Sequence, residues 1–288
     1  MVRLDHSFVP DHTFAGLDEF LAASDPPTGY VRIGLDGPPL DFRYLNKGAS
    51  ALGVFFTAAV PKDSLAPRFT GFGVSRDVSM NTLHFADPAV SLTPEIFLAW
   101  YTGWESQRLD SVLRRVILRY RKWLGEGTPT LLYGGSAGGF ASLVMGLELE
   151  DVVSIAANPQ TDLRHYNRPL VERWQRACWP GTAPNLEEAL AVIPAVTDVV
   201  SGYAKKRDSG LSNGIVILQN TGDKDHIDAH FHPLKDVLDG SGRLRYLMDD
   251  WGAGHKPPPA QVITAVLNAA VHEDWDSPRW TDLGYQLL

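Results

Sequence analysis

Apolar and polar positions along the chain follow two different periods. Short apolar or alternating runs at 30–35, 42–46, 52–57 and 81–86 predict strands, and the run at 128–133 predicts a buried one. From 106 to 124 the period becomes helical, with Leu109, Val112, Leu113, Val116, Ile117, Tyr120 and Leu124 on one side and Gly125 as the stop. The second half repeats the alternation. Strands are predicted at 152–157, 214–220 and 244–248, and helical patterning runs over 140–149, 186–203 and 260–271. The last helix opens at Pro257 to Pro259 and places Val262, Ile263, Val266, Leu267, Ala270 and Val271 on one face.

This order predicts an α/β fold, a mostly parallel eight-stranded sheet flanked by helices, in one domain spanning 1–288. Residues 162–213 are too long for a simple crossover and contain Trp174, Trp179 and a Pro180-Gly181 break, so they read as a small helical cap. The alternative is an extra helical crossover packed elsewhere. No internal repeat or low-complexity segment is present.

Between the strand at 128–133 and the helix at 140–149 lies Gly134-Gly135-Ser136-Ala137-Gly138-Gly139, a Gly-x-Ser-x-Gly pattern in strand–turn–helix context. Such a turn needs small residues two before and two after the serine, because the two backbones nearly touch. It exposes the hydroxyl and aims a helix N-terminus at the same spot. The bland reading is a glycine-rich turn with a solvated serine. A serine nucleophile needs a base, and the base needs an orienting carboxylate. Both types follow, in the order Ser, Asp, His. The run 214–220 leads into Thr221-Gly222-Asp223-Lys224-Asp225-His226, and 244–248 leads into Asp249-Asp250-Trp251-Gly252-Ala253-Gly254-His255.

With these motifs the chain resembles the α/β-hydrolase superfamily over most of its length. The resemblance implies Ser136 as nucleophile, His255 as base and Asp225 as orienting acid, since Gly222-x-x-Asp225 looks like the family's usual spacing; Asp223 is the competitor. It also implies an oxyanion hole built from the Ala137 backbone and a residue after the third strand, Ala58 or its neighbour Thr57. The His-Gly pair of many family members is missing there. A narrower resemblance lies in Phe97 to Gly103 and Asn158 to Asp162, which look like segments of bacterial α/β-hydrolase-like proteins of capsule biosynthesis and accessory secretion. That resemblance implies work on a glycan or glycoprotein, with acyl transfer as one form of it. Trp100, Trp174 and Trp179 are candidate substrate-binding aromatics, with core packing as the alternative.

The expected activity is that of a serine esterase acting on a small-molecule or glycan ester, with no cofactor. Alternatives are acyl transfer to or from a glycan or other hydroxyl, and a non-catalytic scaffold used for binding. Asp223, Asp225, His226, Asp228, His230 and His232 could also be read as a metal cluster, but helical geometry would put His226 and His230 on one face and Asp228 and His232 on another. A polar surface helix with no metal is the favoured reading. His6, His12, His84, His165 and His272 lack motif context and read as surface or structural residues.

The net charge of −8 argues against nucleic-acid binding, and the basic runs Arg114-Arg115 and Arg119 to Lys122 read as one helix's solvated face. The lone Cys178 excludes an internal disulfide framework. A 44% hydrophobic content suffices for a sizeable core, while no run reaches membrane-spanning length. The segment from Met1 to His6 lacks an apolar signal pattern, so a cytoplasmic protein is expected.

Overall fold

The computed structural model describes residues 9–61, 67–183 and 185–288. Ten strands form one sheet: β1 (His12–Phe14), β2 (Gly29–Ile33), β3 (Leu40–Leu45), β4 (Leu52–Phe56), β5 (Asn81–Phe85), β6 (Thr130–Gly135), β7 (Val152–Ala157), β8 (Gly214–Asn220), β9 (Leu244–Asp249) and β10 (Gln286–Leu287). The spatial order is β1-β2-β3-β5-β4-β6-β7-β8-β9-β10. Eight strands were expected. The two additional ones are the edge strands β1 and β10, of three and two residues, too short to show an alternating pattern. Pairing is parallel from β5 through β4, β6, β7 and β8 to β9, and antiparallel at β2–β3, β3–β5 and β9–β10.

Central strands β4 and β8 are buried at every residue, as expected of parallel strands covered on both faces. One face carries α1 (Leu109–Leu124), α2 (Ala137–Glu148) and α4 (Val199–Asp208), and its core includes Phe42, Tyr120, Phe140 and Tyr203. The other carries α5 (Ala260–His272), whose Val266 and Leu267 pack with Met80, Val216 and Trp280. The predicted helix 106–124 starts three residues later, at Leu109, because Gly103–Trp104 and Gln107–Arg108 pair as a small hairpin.

Within 162–213 lie α3 (Arg168–Cys178), a shorter helix (Leu186–Val192) and α4. The predicted helix at 186–203 is thus broken. Pro194 cannot continue the first piece, and the Asp198 carboxylate caps the second by accepting from Ser201 N at 3.0 Å. Helix α4 packs on α2, where Tyr203 Oη donates to Leu143 O at 2.9 Å. It serves as the crossover from β7 to β8.

Because β4, β6, β7, β8 and β9 run in the same direction, their carboxyl ends converge on one edge of the sheet. In open α/β sheets this is the edge where sites are built. Among the described residues, no helix is long and apolar enough to cross a membrane.

Candidate active site

Ser136 sits between β6 and α2 at φ 53°, ψ −119°, a backbone conformation that costs a non-glycine residue about 1–3 kcal/mol. Two glycines explain how the turn is possible. A Cβ on Gly134 would lie 2.2 Å from Gly138 C and O, and one on Gly138 would lie 2.3 Å from Phe56 O. Strand end, helix start and the end of β4 are therefore in backbone contact. Ser136 N–H donates to Ala157 O at 2.8 Å, which fixes the turn against β7.

The loop after β8 carries Asp223, buried with 5% exposure. Its Oδ2 lies 2.5 Å from His255 Nδ1. Asp225, the residue chosen from the glycine spacing, is exposed on the short helical turn Lys224–His226 and is not bonded to His255. The structure thus corrects the pairing to Asp223. The reason is local: Asp223 precedes the turn and points beneath it, whereas Asp225 belongs to its outer surface.

The His255 loop is held by two buried amides that the sequence did not single out for this task. Asn220 Nδ2 donates to Gly252 O at 2.8 Å and Gly254 O at 2.7 Å, and Asn158 Nδ2 donates to Lys256 O at 2.7 Å. A Cβ on Gly222 would lie 2.2 Å from Gly252 O, so the acid and histidine loops touch. His255 itself keeps 37% of its side chain exposed.

Other groups converge on the same spot. His226 Nδ1 lies 3.1 Å from the second oxygen of Asp223, and its ring stacks on His255 with centroids 4.1 Å apart. Gln160 Nε2 lies 3.1 Å from Ser136 Oγ and 2.9 Å from His226 Nε2. Among the described residues Gln160 is the partner of Ser136 Oγ, and no hydrogen bond joins Ser136 to His255. Such contacts often tighten only with substrate bound.

Burial lowers the pKa of His226, with a further lowering from the charge of His255. Burial also pushes His230 down to about 3. The expected polar surface helix is therefore corrected for these two: His226 and His230 are buried, 5.1 Å apart between ring centroids, while His232 and Asp228 lie outside at 3.6 Å from each other. A π-helical turn at Ile227–Phe231 sets their spacing. The possible cation ligands of Asp223, His226 and His255 lie within 4.8 Å of one another. Both Nδ1 atoms there are already hydrogen-bonded to the carboxylate.

Backbone N–H groups at two places are candidates for an oxyanion hole. Ala137 is the first residue of α2, and its N–H has no hydrogen-bond partner among the described residues. At the end of β4, Thr57 N–H donates to Tyr101 Oη at 2.7 Å, so it is engaged, whereas Ala58 N–H is free of a partner among the described residues. Trp100, Trp174 and Trp179 do not line a cleft. All three are at most 1% exposed; Trp100 donates to Gln160 Oε1 and Trp174 to Thr102 Oγ1, and they belong to the main core. His6 lies outside the described residues.

No protein-family model and no curated protein matches the sequence. The structure is similar to that of the capsule O-acetyltransferase of Neisseria meningitidis serogroup A, with a TM-score of 0.59 and 20% identity over 90% of this chain and 99% of that one. It is also similar to the glycosylation-associated Gap123 complex from Streptococcus agalactiae (TM-score 0.64, 16% identity, 85% of this chain and 47% of that one). A third similarity is to an acetyl xylan esterase from Paenibacillus sp. R4 (TM-score 0.53, 15% identity, 81% of this chain and 80% of that one). The chain has the α/β-hydrolase fold.

Proposed function

We propose that the chain is a serine esterase that removes a short acyl group from a carbohydrate hydroxyl through an acyl-enzyme on Ser136. The observation that carries this reading is the buried Asp223 carboxylate bonded to His255 Nδ1 beside a serine in a strained strand-to-helix turn. With Nδ1–H on the carboxylate, His255 Nε2 is left unprotonated and can accept the Ser136 proton. Ser136 Oγ then attacks the ester carbonyl, and the N–H groups of Ala137 and Ala58 receive the oxyanion. His255 returns the proton to the departing sugar hydroxyl. Water next attacks the acyl-enzyme, gives its proton to His255, and the acid leaves as Ser136 recovers its hydrogen.

The partial exposure of His255 favours water as the second nucleophile. Transfer to a sugar hydroxyl is the second reading, and the near end-to-end similarity to a capsule O-acetyltransferase supports it. The carbohydrate substrate class rests on that protein and on the acetyl xylan esterase.

A panel of acetylated oligosaccharides tests the conclusion, with free acetate and acetylated products followed by mass spectrometry. Release of acetate that disappears in Ser136→Ala is the expected result. Acetyl appearing on an added saccharide from an activated ester, with negligible free acid, would replace hydrolysis by transfer. Equal activity in Ser136→Ala would remove the serine mechanism.

A further inference from the structure

Gln160 is fully buried, and its contacts define which way its amide points. The Trp100 indole N–H can only donate, so the Gln160 atom 3.1 Å from it is the carbonyl oxygen. Nε2 therefore faces Ser136 Oγ and His226 Nε2, with one hydrogen for each. His226 Nε2 must then accept, which places the His226 proton on Nδ1, where Asp223 Oδ1 receives it at 3.1 Å. A hydrogen-bonded arm thus runs from the carboxylate to the serine, beside the Asp223–His255 pair.

We propose that Gln160 is a further catalytic residue, an N–H donor aimed at the reacting oxygen of Ser136, with His226 and Trp100 as the positioning residues that hold its amide in that orientation. The proposal rests on Ser136 being the nucleophile. When Oγ loses its proton to His255, or when the Oγ–acyl bond breaks in the second half, charge builds on Oγ and the Gln160 hydrogen bond strengthens. The arm also keeps His226 neutral. A proton on His226 Nε2 would oppose the Gln160 N–H, and a charged His226 would stack against the imidazolium forming on His255. Around His226 stand Asp223 and Asp225 on its own loop, His230 one turn on, His255 and Tyr166.

The test compares wild type, Gln160→Met and Trp100→Phe, each checked for folding by thermal melting. A fluorophosphonate probe first reports Ser136 reactivity. Ester kinetics then separate kcat from KM, and ring 15N shifts report the His226 tautomer. Gln160→Met should lose about 10- to 100-fold in kcat with KM within about twofold. His226 in wild type should be the Nδ1–H form, and in Trp100→Phe it should become a mixture as the amide turns over. Wild-type kcat in Gln160→Met, a loss carried by KM alone, or an Nε2–H His226 in wild type would each overturn the proposal. If Gln160→Met does not fold, Trp100→Phe decides: an unchanged tautomer and kcat overturn it. Failure of the probe to label wild type would instead overturn the nucleophile reading itself, and the proposal with it.

Discussion

Two regions of the molecule use histidine in opposite ways. His84, in β5, lies between Phe55 and Phe72 with ring centroids 4.7 and 4.1 Å away. Its nitrogens bond Thr70 O at 2.7 Å and Thr82 Oγ1 at 2.9 Å. Both positions are filled by neutral groups, and burial lowers its pKa to about 4. At the carboxyl edge of the sheet, His255 bonds a carboxylate through one nitrogen, and the other has no partner among the described residues in a partly exposed ring. A histidine with both nitrogens satisfied by neutral groups contributes stability and stays neutral at ordinary pH; one held by a carboxylate at a single nitrogen is arranged differently. The difference lies in the partners, not in the residue.

The comparison breaks most sharply at the serine site. Ser136→Ala and His255→Ala should each lower turnover of a p-nitrophenyl ester on the order of a thousandfold or more, with little change in thermal midpoint. A His255→Ala enzyme of undiminished rate would dissolve the contrast. Asp223→Asn should follow with a loss of about 100- to 10,000-fold, measured in the same assay, because an amide no longer holds the useful tautomer.

His84→Leu should do the reverse: about 2–4 kcal/mol lower stability by urea unfolding at neutral pH, from two unpaired polar groups and altered packing, with kcat per folded molecule unchanged. The pH dependence has a definite sign. His84 titrates near 4 when folded against an ordinary 6.5, so the unfolded chain binds more protons between those values. Its contribution is full above about 6.5 and is lost as pH falls toward about 4. Unfolding curves of His84→Leu should accordingly lose less stability than wild type over that window. The smallest effect belongs to Asp225→Asn, whose turnover should stay within about twofold because its charge is solvated. A collapse there would restore Asp225 as the acid.

Much of the fold was legible because its signals are local. Parallel strands read as apolar runs, α1 and α5 as helical stripes, and the serine turn as glycines whose absence of side chains lets backbones touch. The His255 loop was legible from its glycines, and the structure brings it against Asp223. The choice between Asp223 and Asp225 was not, because it depends on how one short helical turn faces. Trp100, Trp174 and Trp179 misled since aromatics suit a cleft and a core equally well. Asn158, Gln160 and Asn220 carry neither periodicity nor charge, so only the assembled strand ends reveal what their amides hold.

Asn158 and Gln160 stand two residues apart on the exit from β7 yet reach different partners, the His255 loop and the Ser136 hydroxyl. This short exit is a common mount for two loops distant in sequence. A one-residue insertion there would leave the sheet intact while shifting both alignments at once. Thr161, the next residue, accepts from Val199 N–H at 2.8 Å, so the segment 162–213 is tied to the same exit, and a length change close to that contact would be passed on to both loops.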